Sequence, residues 1–531
     1  MKHRIIISIC LICILLAGFR IQQQIVNAAG STYYVAKTGN DSDPGTFTKP
    51  WLTINHAATH IAAGDTVYIE GGTYNEQVFI HALNGSPSSY TTFQNYNGQA
   101  VIIDGTNVTM AGSGLVNIDR STYLTLNGLQ VQNSSDMGIA ATYGVLDHLN
   151  FLNLNVHDCG SDGIEVGYKG IYTTTNILIS GCYVHNVCTL GQYIAGACVQ
   201  LDSPNGFEVK NNIFYKDNGA VGMSVMMGGS NGTIHNNEFN NLCLYIDAEG
   251  VGESNINVYG NYFHDCTTTT AIAVGDEKAA ASMTNLNFYN NQFYNNPYGC
   301  FVVGGVVGVG LQTVTFSFVN NTCYENAGFT RADIIFGDAT SNWSNCVIAD
   351  NIIVTTGSNN APIFNKSPSN GNTTIDHNLF YCANGSLLTA NQNVVYGTNP
   401  VYANPLLKNP PIDFSLQLNS PAIDAANALY AQSTDYIGTT RPQGAGYDIG
   451  AYEYMSSATT TTPPPTTTTP PQMVTINAIM VTSPASLPTA SAAYRGVIAI
   501  VQGGNGIKDA LYQCMKSATN TYSWVSIATG G

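Results

Sequence analysis

Residues 211 to 214 read NNIF, and this pattern returns six more times along the chain. In each copy an asparagine is followed two residues later by an aromatic or apolar residue. The copies are NNIF (211–214), NNEF (236–239), GNYF (260–263), NNQF (290–293), NNTC (320–323), DNII (350–353) and HNLF (377–380). The asparagines are 24 to 30 residues apart. The chain therefore repeats one structural unit across this region.

Each copy is followed by a polar turn and a second apolar segment, such as VGMSVM (221–226) or CLYIDA (243–248). A unit of this length with two or three short strands and no helix is one coil of a parallel β-helix. Such a coil buries its apolar side only when coils stack. Amides of the asparagine column can then bond one another and the turn backbone. The sequence predicts an all-β solenoid.

The chain divides into four predicted parts. Residues 1–29 have a basic start, an apolar run and small residues before position 30, which is typical of a cleaved secretory signal. Residues 30–455 form the β-helix domain. Residues 456–472 are a Thr/Pro-rich linker that should be extended, and residues 473–531 alternate like a small β-rich module. We expect a secreted or cell-surface protein.

Composition limits the partners. The apolar run near the start is shorter than the roughly 20 residues that cross a bilayer, so we expect no stable membrane span. The formal net charge of −16 argues against a nucleic-acid partner, because phosphate binding needs a cationic surface. An acidic protein that binds an anionic polymer needs local Arg or Lys, or a divalent cation. The sequence leaves the oligomeric state open.

The cysteines follow the repeat. Eleven of the 13 lie beyond position 29, and four pairs are 23 residues apart, which is close to one coil: 159 and 182, 243 and 266, 300 and 323, and 323 and 346. We interpret them mainly as small apolar side chains stacked in the interior. Disulfides between neighbouring coils stay open in an oxidising compartment.

Both ends of the array resemble secreted pectate-lyase-like β-helix proteins. Residues 31–80 resemble their capping opening, in which residues 51–63 form a short helix over the open end of the core. The segments DFSLQLNSPAIDA (413–425) and DIGAYEY (448–454) resemble their closing segment. The resemblance implies a right-handed parallel β-helix that handles an extracellular polysaccharide.

A local resemblance is to the family-9 pectate lyases. Their DDGFD-like stretch supplies calcium ligands, and here residues 161–165 read SDGIE. The resemblance implies a calcium site with Asp162 and Glu165 as ligands, joined by Asp136 about one coil upstream, while Ser161 replaces one Asp. The family's lysine base lies in a GNGFKLGG-like stretch. The matching residues, GACVQLDS (196–203), have Gln200 in place of lysine.

This resemblance implies β-elimination on a uronate. Calcium held by carboxylates would bridge to the uronate and acidify its C5 proton, which a Lys or Arg base removes. Gln200 cannot be that base, so either Lys278 or Lys169 serves or the lyase chemistry is lost. Aligning the second strand of each coil adds proposed groove residues Asp202, Asp247, Glu249, Asp276 and Glu277. The alternative for this row is solvated turn residues.

A column of rings follows the asparagine strands: His157, His185, Tyr215, His264, Tyr294, Tyr324 and Tyr381. Such rings either stack on sugars or pack on each other. We predict a calcium-dependent, pectate-lyase-like protein acting on a uronate-containing glycan. The alternative, which Gln200 favours, is a non-catalytic glycan-binding or adhesive β-helix. A third interpretation is a phage-type spike, based on a weak resemblance of residues 473–531.

Overall fold

The computed structural model describes most of the predicted β-helix. Its described residues are 30–168, 170–189, 196–216, 221–226, 228–248, 251–275, 281–304, 313–326, 332–337, 341–355, 361–366, 373–387 and 393–455, with four further strands between 479 and 529. The predicted signal and linker lie outside them. No helix among the described residues is long and apolar enough to cross a membrane.

Among the described residues, helix occurs only near the start of the domain. Helix α1 spans Ile54–His60, and a single 3-10 turn spans Tyr96–Gly98. Thr53 caps α1, its side chain accepting a hydrogen bond from the His56 amide. Ile54, Ala57 and Ala58 are buried in the main core, so α1 covers the first coil. The predicted cap is confirmed, and it is shorter than residues 51–63 because Ile61 is extended.

The remaining elements are short strands. In chain order they are β1 Thr32–Val35, β2 Thr66–Ile69, β3 Gly72–Tyr74, β4 Val78–His81, β5 Thr91–Asn95, β6 Val101–Asp104, β7 Gly114–Asp119, β8 Thr122–Asn127, β9 Leu129–Gln132, β10 Met137–Tyr143, β11 Leu146–Leu152, β12 Asn155–His157, β13 Ile164–Val166, β14 Thr174–Ser180, β15 Tyr183–His185, β16 Ala197–Asp202, β17 Pro204–Lys210, β18 Ile213–Tyr215, β19 Val221–Met226, β20 Ser230–His235, β21 Glu238–Asn240, β22 Leu244–Asp247, β23 Glu253–Tyr259, β24 Tyr262–His264, β25 Ile272–Gly275, β26 Ser282–Tyr289, β27 Gln292–Tyr294, β28 Phe301–Val303, β29 Thr313–Val319, β30 Thr322–Asn326, β31 Ala332–Phe336, β32 Cys346–Ala349, β33 Ile352–Thr355, β34 Ala361–Asn365, β35 Thr373–Asp376, β36 Leu379–Cys382, β37 Val401–Tyr402, β38 Leu407–Asn409, β39 Asp413–Leu416, β40 Ile479–Val481, β41 Ile498–Val501, β42 Ala510–Lys516 and β43 Tyr522–Thr529.

Three parallel sheets build the solenoid. Sheet I runs β1-β2-β5-β8-β11-β14-β17-β20-β23-β26-β29-β32-β35. Sheet II runs β4-β7-β10-β13-β16-β19-β22-β25-β28-β31-β34, and sheet III runs β3-β6-β9-β12-β15-β18-β21-β24-β27-β30-β33-β36-β37. Successive strands visit sheets II, I and III in turn. The chain is thus the predicted all-β parallel solenoid.

The predicted asparagine ladder stands at the turn from sheet I to sheet III. Asn291 shows its geometry: its Nδ2 donates to Val258 O at 2.9 Å and to Asn321 Oδ1 at 3.1 Å. The residue before each ladder asparagine has a positive φ, which suits asparagine and glycine in a tight turn. Those residues are Asn211, Asn236, Gly260, Asn290, Asn320, Asp350 and His377.

Aromatic side chains stack inside the solenoid. Phe239 and Phe263 lie 4.4 Å apart, and Phe263 and Phe293 lie 5.2 Å apart, measured between ring centroids. All three are fully buried, so each coil completes the core of its neighbour. This confirms the role of the apolar residue that follows each ladder asparagine.

The cysteines in the described coils are buried. Cys300 and Cys323, one of the pairs 23 residues apart, form a disulfide between neighbouring coils. Eight other cysteines of the described coils form no disulfide: Cys159, Cys182, Cys188, Cys198, Cys243, Cys266, Cys346 and Cys382. Stacked apolar cysteines are therefore the main pattern, with one inter-coil bridge.

The closing segment, residues 401–455, folds back along the outside of sheet III. Its strands β38 and β39 pair antiparallel, and Phe414 packs edge-on against Tyr262 and Tyr324. Arg441 is buried here and donates to Asp448 O and Gly450 O, each at 2.8 Å. The segment buries a flank of the solenoid.

The second compact unit begins at Ala458. Its described strands form one sheet in the order β40-β41-β42-β43, with β40 and β41 parallel and the other pairs antiparallel. This agrees with the predicted small β module.

Candidate functional site

The candidate site lies on the outward face of sheet II. In β13, Ile164 and Val166 belong to the core, and the alternation of a strand turns Glu165 outward. Glu165 is in register with Ala140 one coil earlier and with Gln200 one coil later. Gln200 is in turn aligned with Ser224. The structure thus brings Glu165 and Gln200 together in adjacent coils.

Two of the predicted groove acids end the strands of the same face. Gln200 Nε2 donates to Asp202 Oδ1 at 3.3 Å, so these two side chains form one polar patch. Asp202 is aligned with Met226, and Met226 with Asp247. Both acids are almost fully buried. Asp202 and Asp247 therefore share a column two coils apart, with a methionine between them.

Asp162 lies on the turn that leads into β13. Its Oδ1 accepts a hydrogen bond from Ala197 N at 2.6 Å, and its Oδ2 accepts one from Ser161 Oγ at 2.9 Å. Burial raises the pKa of this carboxyl, and the nearby charge of Asp136 raises it further. Desolvation also raises the pKa of Asp136. The two acids are close enough to oppose each other's ionisation.

The carboxylates on the turns that lead into sheet II were predicted to hold calcium. Carboxylate oxygens are the donors that calcium prefers, and the predicted ligands Asp136, Asp162 and Glu165 would supply three such groups. Among the described residues, however, no group of three or more His, Cys, Asp or Glu side chains is arranged to hold a metal ion. Asp162 already uses both oxygens in hydrogen bonds. The described residues do not fit a calcium site by themselves.

Several predicted site residues lie outside the described residues. They are the base candidates Lys169 and Lys278 and the groove acids Glu249, Asp276 and Glu277. Lys169 follows β13 in sequence, and Asp276, Glu277 and Lys278 directly follow β25. Their roles stay predictions.

Sequence analysis did not single out Glu253, at the start of β23. Its Oε1 accepts a hydrogen bond from Gly228 N at 3.2 Å, and the side chain is buried. Burial raises its pKa well above the usual value, and the charge of Asp247 adds to this effect. Glu253 is therefore a buried carboxyl with a raised pKa near a proposed groove acid. A single glutamate inside GESNINV gave no repeat or motif that could reveal it.

The ring column lies on sheet III, away from this face. His157 and His185 stack with ring centroids 4.7 Å apart. Tyr294, Tyr324 and Tyr381 are half-buried against the closing segment. These rings pack on one another and on the protein, which agrees with the packing interpretation.

Two protein-family models match parts of the chain. Residues 33–203 match the model of the Pel9A-like right-handed β-helix region, and residues 147–316 match that of the right-handed β-helix region. The predicted resemblance to pectate-lyase-like right-handed β-helices is thus confirmed over these two regions.

Individual relatives match parts of the chain. The uncharacterized protein YwoF of Bacillus subtilis (strain 168) is 34% identical over 116 residues, which is 22% of this chain and 25% of that protein. Pectate lyase PEL9 of Emericella nidulans is 37% identical over 73 residues, which is 14% of this chain and 18% of that protein. The matches thus span a quarter or less of each relative.

The crystal structure of pectate lyase Pel9A is similar with a TM-score of 0.47 and 13% sequence identity, covering 80% of this chain and 97% of that one.

Proposed function

We propose that this chain is an extracellular polysaccharide-processing protein that holds a uronate-containing glycan along the outward face of sheet II. The observation that carries the proposal is the register that joins Glu165 to Gln200 in adjacent coils, beside Asp202. Asp162 and Asp136 lie on the turns that lead into the same sheet. The local identity to pectate lyase PEL9 supports the same class of substrate.

Lyase chemistry on this face needs a proton base. β-Elimination removes a proton from the uronate, and a neutral amide such as Gln200 does not accept it at ordinary pH. Lys169 and Lys278 stay the candidate bases. Calcium dependence of this reaction also stays a proposal. Gln200 is only partly buried and would contact sugar hydroxyls, while the buried Asp202 would hold its amide in place.

A second candidate function is glycan binding without cleavage. Gln200 favours it, because this amide both donates and accepts hydrogen bonds and so suits a sugar hydroxyl while lacking base chemistry. Its contact with Asp202 fixes its orientation on the face. Both functions use the same surface, so they differ only in whether a base reaches the bound sugar.

One assay separates the two functions. The purified chain is incubated with polygalacturonate and alginate, with calcium or with chelator, and the ultraviolet absorbance of unsaturated ends is followed. A rise that chelator abolishes supports the calcium-dependent lyase, and loss of the rise in Lys278→Ala or Lys169→Ala identifies the base. Binding without any rise supports the second function. Neither binding nor a rise on any uronate polymer contradicts the proposal.

A substitution tests the surface itself. Gln200→Ala removes a side chain that contacts Asp202 on the proposed face, and we expect polymer affinity to fall about tenfold, equivalent to roughly 1.4 kcal/mol. Isothermal titration with polygalacturonate fragments measures it. Asn257→Ala, on the outside of sheet I, is the matched control and should leave affinity unchanged. Equal affinities for all three proteins would move the binding surface away from sheet II.

A further inference from the structure

A cationic and aromatic cluster stands at the edge of sheet II. Arg120 directly follows β7, Tyr143 ends β10, and Tyr172 precedes β14. The Arg120 guanidinium lies 4.7 Å from the centroid of the Tyr143 ring. Tyr143 and Tyr172 meet edge to face with centroids 4.9 Å apart. Three coils thus each contribute one side chain to a single cluster.

Backbone geometry holds this cluster together. The amide of Arg120 donates to Tyr143 O at 2.9 Å. Gly144 has a φ of +80°, and a Cβ at this position would lie only 2.5 Å from Arg120 Cγ. The glycine therefore leaves room for the arginine stem to lie across the backbone. A hydrogen bond from Arg120 also holds the pKa of the Tyr143 hydroxyl below its usual value.

The cation and the ring remain accessible. Within the part of the chain that the structure describes, no carboxylate forms an ion pair with Arg120. The adjacent acid, Asp119, is instead paired with His81 Nδ1 at 2.5 Å. Tyr143 is 46% exposed. A ligand carboxylate can therefore approach the guanidinium without breaking an ion pair among the described residues.

The cluster adjoins the proposed glycan surface. Tyr143 lies on the same strand as Ala140, and Ala140 is in register with Glu165 one coil later. Tyr143 itself is aligned with Asp119, on the outward side of β7. Arg120 follows β7, which lies two strands from β13 and Glu165, a rise of about 10 Å at the usual strand spacing, so one oligosaccharide along the coils would span both.

We propose that Arg120, Tyr143 and Tyr172 form a subsite for an anionic sugar unit of the glycan. The planar guanidinium matches the two oxygens of a uronate carboxylate, and the tyrosine rings offer a flat apolar surface to the pyranose. The chain has 33 acidic and 17 basic residues, so an anionic polymer needs such a local cation. The inference rests on the proposed function and names its substrate class as a uronate glycan.

The test compares oligogalacturonate with a neutral galacto-oligosaccharide of equal length, using the full chain and isothermal titration. Arg120→Gln should weaken oligogalacturonate binding about tenfold or more and leave neutral binding unchanged. Arg120→Lys keeps the charge without the planar fork and should fall in between. Tyr143→Ala should weaken both ligands. Lys408→Gln removes one exposed charge from β38 and is the matched control.

The outcomes separate this inference from the proposed function. If the wild-type chain binds oligogalacturonate and Arg120→Gln binds it equally well, the subsite is wrong while the proposed function stands. Binding of the neutral sugar alone overturns the subsite and its anionic specificity. If the wild-type chain binds neither sugar, both proposals fail. Circular dichroism of Arg120→Gln confirms that a loss of binding is not a loss of fold.

Discussion

At the scale of single residues, each position of the asparagine ladder requires a side chain that both donates and accepts buried hydrogen bonds. Asn291→Ala removes an amide that donates to Val258 O and Asn321 Oδ1 and accepts from the amide of Asn261. These groups are buried, so the variant leaves backbone donors and acceptors without partners. We expect the free energy of unfolding to fall by about 2–4 kcal/mol. Urea unfolding followed by circular dichroism measures the change.

The control keeps the residue type and changes only the burial. Asn257, on the outer face of sheet I, accepts a side-chain hydrogen bond from Asn287 at 3.1 Å and is half-exposed. Asn257→Ala should cost less than about 1 kcal/mol, because water replaces the lost partner. Equal losses of unfolding free energy in the two variants would contradict the prediction that a buried ladder asparagine contributes more to stability than a partly exposed one.

Residues that recur with the coil could be predicted from the sequence, and residues that act once could not. Asn212 and its equivalents showed themselves by repetition, and their column was confirmed. The motif SDGIE led to Glu165 and Asp162 through a resemblance, and their role as ligands stays a prediction. Glu253 carries no repeat, and its burial depends on how neighbouring coils pack, which local sequence does not encode.

At the scale of elements, the closing segment stabilises the flank of sheet III. Phe414 is buried and contacts Tyr262 and Tyr324 edge-on. Phe414→Ala should lower the free energy of unfolding by about 3–4 kcal/mol, because a buried ring is replaced by a cavity. Leu418→Ala, at a position 68% exposed in the same segment, should cost less than about 0.5 kcal/mol. Thermal unfolding of both variants provides the comparison.

Asp350, a residue of the solenoid that contacts the closing segment, makes the stability of the protein depend on pH. Burial raises the pKa of Asp350 to about 7, although a hydrogen bond from Asn427 N lowers it. The folded state therefore holds a proton that the unfolded chain releases near pH 4. Stability from this group is complete below about pH 4 and is lost as the pH rises through 7. Asp350→Asn should raise the free energy of unfolding at pH 8 by about 2–4 kcal/mol.

Asp376, which also contacts Asn427, changes stability with pH in the opposite direction to Asp350. Burial opposes its ionisation, yet hydrogen bonds from Asn427 and Thr398 outweigh burial and lower its pKa to about 2. Its stabilisation is present above about pH 4 and is lost as the pH falls through 2. Asp376→Asn should therefore destabilise the protein at pH 8, where Asp350→Asn stabilises it. A shift of both variants in one direction at pH 8 would contradict these assignments.

At the scale of the whole molecule, stacked coils explain why the sequence revealed the fold more fully than the site. Strand length, turn residues and the ladder all indicate the same architecture. Because the unit repeats, each coil provides this evidence again. The segments between copies vary in length, and the base candidates Lys169 and Lys278 lie outside the described residues. The position of the closing segment was also not predictable, because its contacts with Tyr262 and Tyr324 join distant parts of the sequence.

The net charge of −16 predicts how salt affects binding of an anionic glycan. Acidic groups spread over the surface repel the polymer over distances that salt screens, since the Debye length is about 10 Å at 0.1 M. A direct guanidinium–carboxylate contact at Arg120 is screened less. Raising sodium chloride from about 20 to 200 mM, with chelator present, should therefore strengthen binding of polygalacturonate a few-fold and leave a neutral galactan unchanged. Titration at each salt concentration measures both. If polygalacturonate binding weakens with salt, attraction by cations dominates at the binding face, and Lys169 and Lys278 become the residues to substitute.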